Sequence, residues 1–180
     1  IKKFKTVQDI REVWHLAANS DIPAGISDAK VDLKNTFMTT YNTLELMRMF
    51  NIDVLAFASS SAIYGDHGNQ TLSENTGPLL PISNYGAMKL ASEAIISAAI
   101  ESYLKQAFIF RFPNVIGVPA THGVILDFVR KLKNTPNKLE VFGNGMQKKS
   151  YLHVDDLIEA MLYIRNKAIE KIAIYNIGPN

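Results

Sequence analysis

The stretch Val54–Asp66, VLAFASSSAIYGD, is an unbroken apolar run that ends in a row of serines. Apolar residues without polar alternation describe a strand buried on both faces, as in a parallel sheet. The serines Ser59, Ser60 and Ser61 then fall at its carboxyl end, where open α/β sheets hold their ligands. Upstream, Val13–Ala18 (VWHLAA) is a second such run that ends in small residues. The polar segment after it reads as a loop. From about Ser27 to Phe50, Val31, Phe37, Tyr41, Leu44, Met47 and Met49 recur at helical spacing, with Asp28 as a candidate cap.

Downstream, Asn69–Pro81 is rich in turn-forming residues and predicts a surface loop. A long alanine-rich helix is expected over Asn84–Gln106, then a strand over Ala107–Phe112 closed by Pro113. A helix near Val124–Lys133, a turn at Asn134–Lys138, a short strand Leu139–Phe142 and a turn at Gly143–Gly145 come next. Tyr151 and His153 alternate as in another short strand, Asp155–Asn166 predicts a helix, and Ala173–Ile177 predicts a last strand. Strands separated by helices mean right-handed crossovers and a parallel sheet covered on both faces, so the fold class is α/β.

Composition excludes several other classes. The 180 residues are 47% apolar, enough for one packed core. The 19 basic and 17 acidic residues nearly cancel and form no stripe that could follow a phosphate backbone, which speaks against nucleic-acid binding. There is no cysteine, and His15, His67, His122 and His153 are too dispersed for metal-ligand spacing, so no metal is expected. Apolar runs such as Ala94–Ile100 are too short to span roughly 30 Å of hydrocarbon, and the expectation is a soluble, cytoplasmic protein without membrane contact. The chain opens at Ile1 with no leader pattern.

Tyr85 and Lys89, four residues apart on the long helix, share one helical face. A free phenol ionises at about pH 10 and is a poor base at neutral pH unless a nearby cation favours the phenolate. Lys89 can supply that charge. A hydroxyl from Ser59–Ser61 could bond a substrate oxygen and share the proton that the tyrosine handles. A solvated surface pair is the other reading of Tyr85 and Lys89.

HLAA at His15–Ala18, Asn35, SSSAIYGD at Ser59–Asp66, SNYGAMK at Ser83–Lys89, RFPNVIG at Arg111–Gly117 and QKKSYLHVDD at Gln147–Asp156 occur in that order. Together they resemble the extended short-chain dehydrogenase/reductases, in particular the nucleotide-sugar epimerases and dehydratases. The resemblance implies a doubly wound, Rossmann-like domain over 1–112 and 155–180, lacking its first strands, with 113–154 mostly a nucleotide-sugar-binding lobe. It also implies NAD, with NADP as the alternative. The glycine turn that would hold the cofactor pyrophosphate is absent from the sequence.

Carried over residue by residue, the resemblance makes Tyr85 the base and Lys89 the lysine that lowers its pKa and bonds the nicotinamide ribose. The active hydroxyl lies four residues before Tyr64 in the family pattern, which selects Ser60. Ala17, Ala18, Asn35, Ser59 and Phe112 resemble cofactor contacts, although Ala17 and Ala18 also suit strand-end packing. Ser61, Asn114, Val124, Phe142 and Lys149 resemble contacts to the nucleotide sugar, with Lys149 standing where arginine is more usual. A lysine there offers a point charge in place of a bidentate fork. His15 and His67 are read as structural.

Family members share an oxidation step and differ in the chemistry after it. A dehydratase needs an extra acid and base to expel water, which the resemblance to that subfamily places just after the active hydroxyl, and Ser61 and Ala62 carry no carboxyl group. The remaining reading is a 4-epimerase of the UDP-glucose/UDP-galactose type, acting as a homodimer through the two long helices. Dehydratase, decarboxylase and reductase activities are the alternatives within the family, and a non-catalytic dinucleotide-binding or regulatory protein is the alternative outside it.

Overall fold

The structure, a computed structural model, describes residues 10–120, 123–141, 143–146 and 148–179. Four parallel strands, β1 (Glu12–His15), β2 (Val54–Ala58), β3 (Gln106–Arg111) and β6 (Ile172–Asn176), form the main sheet in the order β1-β2-β3-β6. The register runs Val13 to Leu55, Leu55 to Ala107 and Ala107 to Ile172. Between β1 and β2 lie α1 (Ile22–Ser27), α2 (Ala29–Asp32), a π-helical segment (Leu33–Phe37) and α3 (Met38–Met49). A single turn of 3₁₀ helix (Ser61–Ile63) and α4 (Asn84–Ser102) connect β2 to β3.

Alternation along the central strands builds two cores. Leu55 and Phe57 of β2, with Ala107 and Ile109 of β3, meet Leu44 and Met47 of α3 and Ile96 and Ile100 of α4. Ala56, Phe108 and Phe110 point the other way, onto Leu157 and Met161 of α6 (Val154–Lys167). Each fully buried large side chain of this kind contributes about 1.5–3 kcal/mol. Helices therefore cover both faces of a parallel sheet, the α/β doubly wound arrangement expected from the strand pattern.

After β3 the chain forms β4 (Asn114–Ile116), α5 (Val124–Asn134) and β5 (Tyr151–His153) before α6. β4 and β5 pair in parallel as a separate two-stranded sheet, with Asn114 opposite Tyr151. No residue of α5 is fully buried, and Val124, Ile125, Val129 and Leu132 are each at least 40% exposed. Among the described residues, no helix is long and apolar enough to cross a membrane.

Several expectations are corrected. The segment read as loop after β1 contains α1, capped by the Asp21 side chain, which accepts from Ala24 N. Asp28 caps α2 as expected, accepting from Lys30 N at 3.0 Å. The helix expected over Ser27–Phe50 changes to π geometry at Leu33–Phe37. The short strand expected at Leu139–Phe142 is absent over its described part, Leu139–Val141, while Phe142 lies outside the described residues. β4 is an addition to the expected strands, since its three residues are mostly exposed and carry no periodic signal.

Candidate active site

β2 delivers Ser59 and Ser60 beyond its carboxyl end, and backbone bonds fix the turn. Ser59 N donates to Phe110 O at 2.8 Å and Ser61 N to Phe112 O at 3.1 Å, so the turn is laced to β3. Ser60 Oγ caps the 3₁₀ turn by accepting from Ala62 N at 3.1 Å. That leaves its hydroxyl hydrogen free to turn toward Tyr85, whose phenol pKa the nearby Ser60 hydroxyl lowers.

Ser83 opens α4 by accepting from Gly86 N at 3.0 Å, which sets Tyr85 in the first turn of the helix. Asn84 Nδ2 donates to Gly25 O at 2.9 Å and ties this end of α4 to α1. Gly86 brings α4 close to the serine turn, since a Cβ there would lie 2.5 Å from the Ala62 carbonyl oxygen. Lys89, only 2% exposed, reaches back under Tyr85 and donates to the Ala58 carbonyl. Its Nζ lies 4.7 Å from the Phe57 ring centroid and 5.8 Å from that of Tyr85. Ser60, Tyr85 and Lys89 are thus brought together at the carboxyl end of the sheet.

The electrostatics differ from expectation in one respect. Burial raises the Tyr85 pKa, the nearby Ser60 hydroxyl partly offsets it, and Asp32 raises it further, so the phenol is raised overall where a lowered one was expected. The lysine is itself penalised: burial drags its pKa down to about 8, while Glu93 acts the other way. His15, stacked on Phe57 and bonded to Thr40 at 3.0 Å, is held near a pKa of about 4 by burial and by Lys89.

The other candidates are spread wider. Ala17 and Ala18 sit in the loop after β1, Ala17 exposed and Ala18 half-buried. Asn35 is exposed within the π segment, a helix type that recurs at functional sites. Phe112 is half-buried at the end of β3, and Ser61 is half-buried in the serine turn. Asn114 lies on exposed β4 with Nδ2 donating to Ser150 O at 3.2 Å, Val124 begins α5, and Lys149 is exposed before β5. An open cleft of about 410 Å³ at the start of α4 is lined by Ile26, Pro81, Ile82, Ser83, Asn84 and Ala87, and none of Ser60, Tyr85 and Lys89 lines it. Among the described residues no cluster of side chains could hold a metal ion.

Three buried charges escape a reading of the sequence: Glu93, Arg111 and Asp32. Arg111 donates from Nε (3.1 Å) and Nη2 (2.7 Å) to the Glu93 carboxylate, to which Ser59 Oγ also donates. Asp32 accepts from Asn19 Nδ2 at 2.8 Å. The available signal is position: Glu93 lies one helical turn beyond Lys89 on the face that meets the sheet.

Comparison with known proteins agrees with this geometry. Residues 1–178 match the family described as "NAD dependent epimerase/dehydratase family". A Methanocaldococcus jannaschii protein provisionally named UDP-glucose 4-epimerase is 32% identical over 176 residues, 95% of this chain and 56% of the relative. The dTDP-D-glucose 4,6-dehydratase of Mus musculus is 28% identical over 184 residues, 100% of this chain and 50% of its own. A crystal structure of a UDP-galactose 4-epimerase superposes with a TM-score of 0.82 at 33% identity, covering 93% of this chain and 56% of that one. The chain therefore spans about half the length of these relatives. Its matched residues, parallel sheet and serine–tyrosine–lysine grouping place it in the NAD-dependent epimerase/dehydratase family of extended short-chain dehydrogenase/reductases.

Proposed function

We propose that the protein to which this chain belongs is a UDP-sugar 4-epimerase of the UDP-glucose/UDP-galactose type. The observation that carries this reading is the grouping of Ser60, Tyr85 and buried Lys89 at the carboxyl end of β2, beside a turn whose next residues, Ser61 and Ala62, bear no carboxyl group. Both buried carboxylates around the site are engaged, Glu93 by Arg111 and Ser59 and Asp32 by Asn19 Nδ2, which speaks against a free acid for elimination of water.

The residues at hand suit the nicotinamide end of NAD: Tyr85 and Lys89 lie at the carboxyl end of β2, and the small Ala17 and Ala18 come just after neighbouring β1. Ser59, Phe112 and Asn35 complete that side. When bound, NAD supplies the acceptor and later the donor of hydride. Tyr85 as phenolate takes the proton from the C4 hydroxyl of the sugar and returns it when that oxygen is reduced again. Ser60 donates to the same oxygen and keeps it in line with the phenol. In this reading the Lys89 charge and a hydrogen bond from the substrate hydroxyl favour the phenolate against the burial that raises the phenol.

Residues 113–154, with Ser61, Asn114, Val124, Phe142 and Lys149, form the nucleotide-sugar side of this reading. The exposed Tyr41, Leu46 and Met49 on α3 fit a homodimer through α3 and α4. The test is to incubate the full-length, NAD-loaded protein with a panel of UDP-sugars and to resolve C4 epimers chromatographically. Interconversion of a C4 pair is expected; a 4-keto-6-deoxy product would assign a dehydratase instead, and NAD binding without any turnover would point to a regulatory protein.

A further inference from the structure

Glu93 is the charged group beside the site that the proposed mechanism leaves without a task. It is 6% exposed, and its carboxylate accepts from Ser59 Oγ and from Arg111, itself 5% exposed. Arg111 Nη1 donates onward to the Tyr64 hydroxyl at 2.9 Å and to the Glu74 carbonyl at 3.2 Å. Tyr64 in turn donates to Asn176 Oδ1 at 2.7 Å, so groups from α4, β3, β6 and the turn after β2 join one network that reaches Ser59. Stability alone does not call for this arrangement, because packed apolar side chains of similar volume commonly do as well as or better than a buried ion pair.

Two contacts lead from Glu93 to the reacting groups. Its bond to Ser59 restrains the residue that precedes Ser60. Its charge faces Lys89 one helical turn away, on the same side of α4. The other groups around Lys89 cannot replace it. His15 on β1 is neutral above about pH 4, Tyr85 carries no charge until ionised, Phe57 and the Ala58 carbonyl on β2 are uncharged, and Asp32 on α2 acts on Tyr85. Arg111 on β3 would oppose a second cation and is neutralised by Glu93.

We propose that Glu93 is a positioning residue of the site: it supplies the counter-charge to Lys89 and, through Ser59, fixes the turn that presents Ser60. This role rests on the epimerase reading for its purpose, but its physical content can be measured without turnover.

The experiment is a pH titration of the full-length, NAD-loaded protein carrying lysine labelled with carbon-13 at Cε. The Lys89 resonance is identified by its loss in Lys89→Met. In Glu93→Gln the Lys89 midpoint should fall by about one pH unit or more, and the alkaline limb of the kcat profile should move the same way. Because glutamine leaves Arg111 buried without its counter-ion, at a cost the fold need not survive, Glu93→Gln/Arg111→Met is titrated as well, with a smaller fall expected because the opposing guanidinium is removed too. A Lys89 midpoint that stays at the native value in a folded variant overturns the proposal. A protein with no epimerase activity at all would sink the functional reading and still leave this titration decisive.

Discussion

The Lys89 ammonium is bonded to the carbonyl of Ala58, the last residue of β2, and so pins the helix that carries Tyr85 to the strand that carries Ser60. The same side chain is a fastener and a charge. Burial makes the charge costly: the pKa of Lys89 falls from 10.5 to about 8.

That shift has a definite sign in stability. The folded pKa lies below the unfolded one, so the unfolded chain binds the extra proton between about pH 8 and 10.5. Native stability should therefore rise with pH across this window, relative to Lys89→Met, which lacks the group. Urea unfolding of both proteins from pH 7 to about 11 checks this, and curves that run parallel through the window would contradict it.

Tyr85→Phe removes the phenol oxygen and leaves the ring that packs near Lys89. Turnover of UDP-sugars should fall by roughly 10²–10⁴-fold, with the melting temperature nearly unchanged. Ser60→Ala should lower kcat less, since the phenol remains. Initial rates and a thermal melt of each variant decide it; full activity in Tyr85→Phe would remove the tyrosine from the chemistry.

Arg111→Met leaves the Glu93 carboxylate buried without its partner. The expected loss is about 3–5 kcal/mol, and much of it should return in Glu93→Gln/Arg111→Met, where no lone charge remains. Denaturant unfolding of the single and double variants gives the coupling directly. Equal losses in both would mean that the pair is not an interacting unit.

At Gly86 the constraint is space. An alanine Cβ would approach the Ala62 carbonyl oxygen to 2.5 Å and its carbon to 3.1 Å, both main-chain atoms that cannot rotate aside. Gly86→Ala should separate α4 from the serine turn, lowering kcat on the order of 10²-fold while changing KM for the UDP-sugar less. Comparison of kcat and KM for the purified variant provides the check, and an unchanged kcat would refute it.

Legibility in the sequence depends on which signals are local. Val54–Ala58 is readable as a strand to the residue, because five apolar residues between polar ends have one interpretation in a parallel sheet. The first turn of α4 is readable too, and Ser60, Tyr85 and Lys89 do converge as their spacing suggests. α1 escapes notice because Asp21 and Pro23 look like loop chemistry, yet an aspartate cap and an early proline also start helices. The π segment is invisible, since Val31, Phe37 and Tyr41 keep an ordinary helical rhythm across it. Glu93 and Arg111 stay hidden because a lone charge on a helix or a strand normally meets water, and only the pairing of two distant segments reveals otherwise.

The parallel pairing of Asn114–Ile116 with Tyr151–His153, in a sheet separate from the main one, sets the two ends of the intervening chain side by side like doorposts. Its length and composition can drift without changing the gap its ends must bridge. Change between these two strands is expected to leave the reacting groups in place, since Ser60, Tyr85 and Lys89 all precede them in the chain.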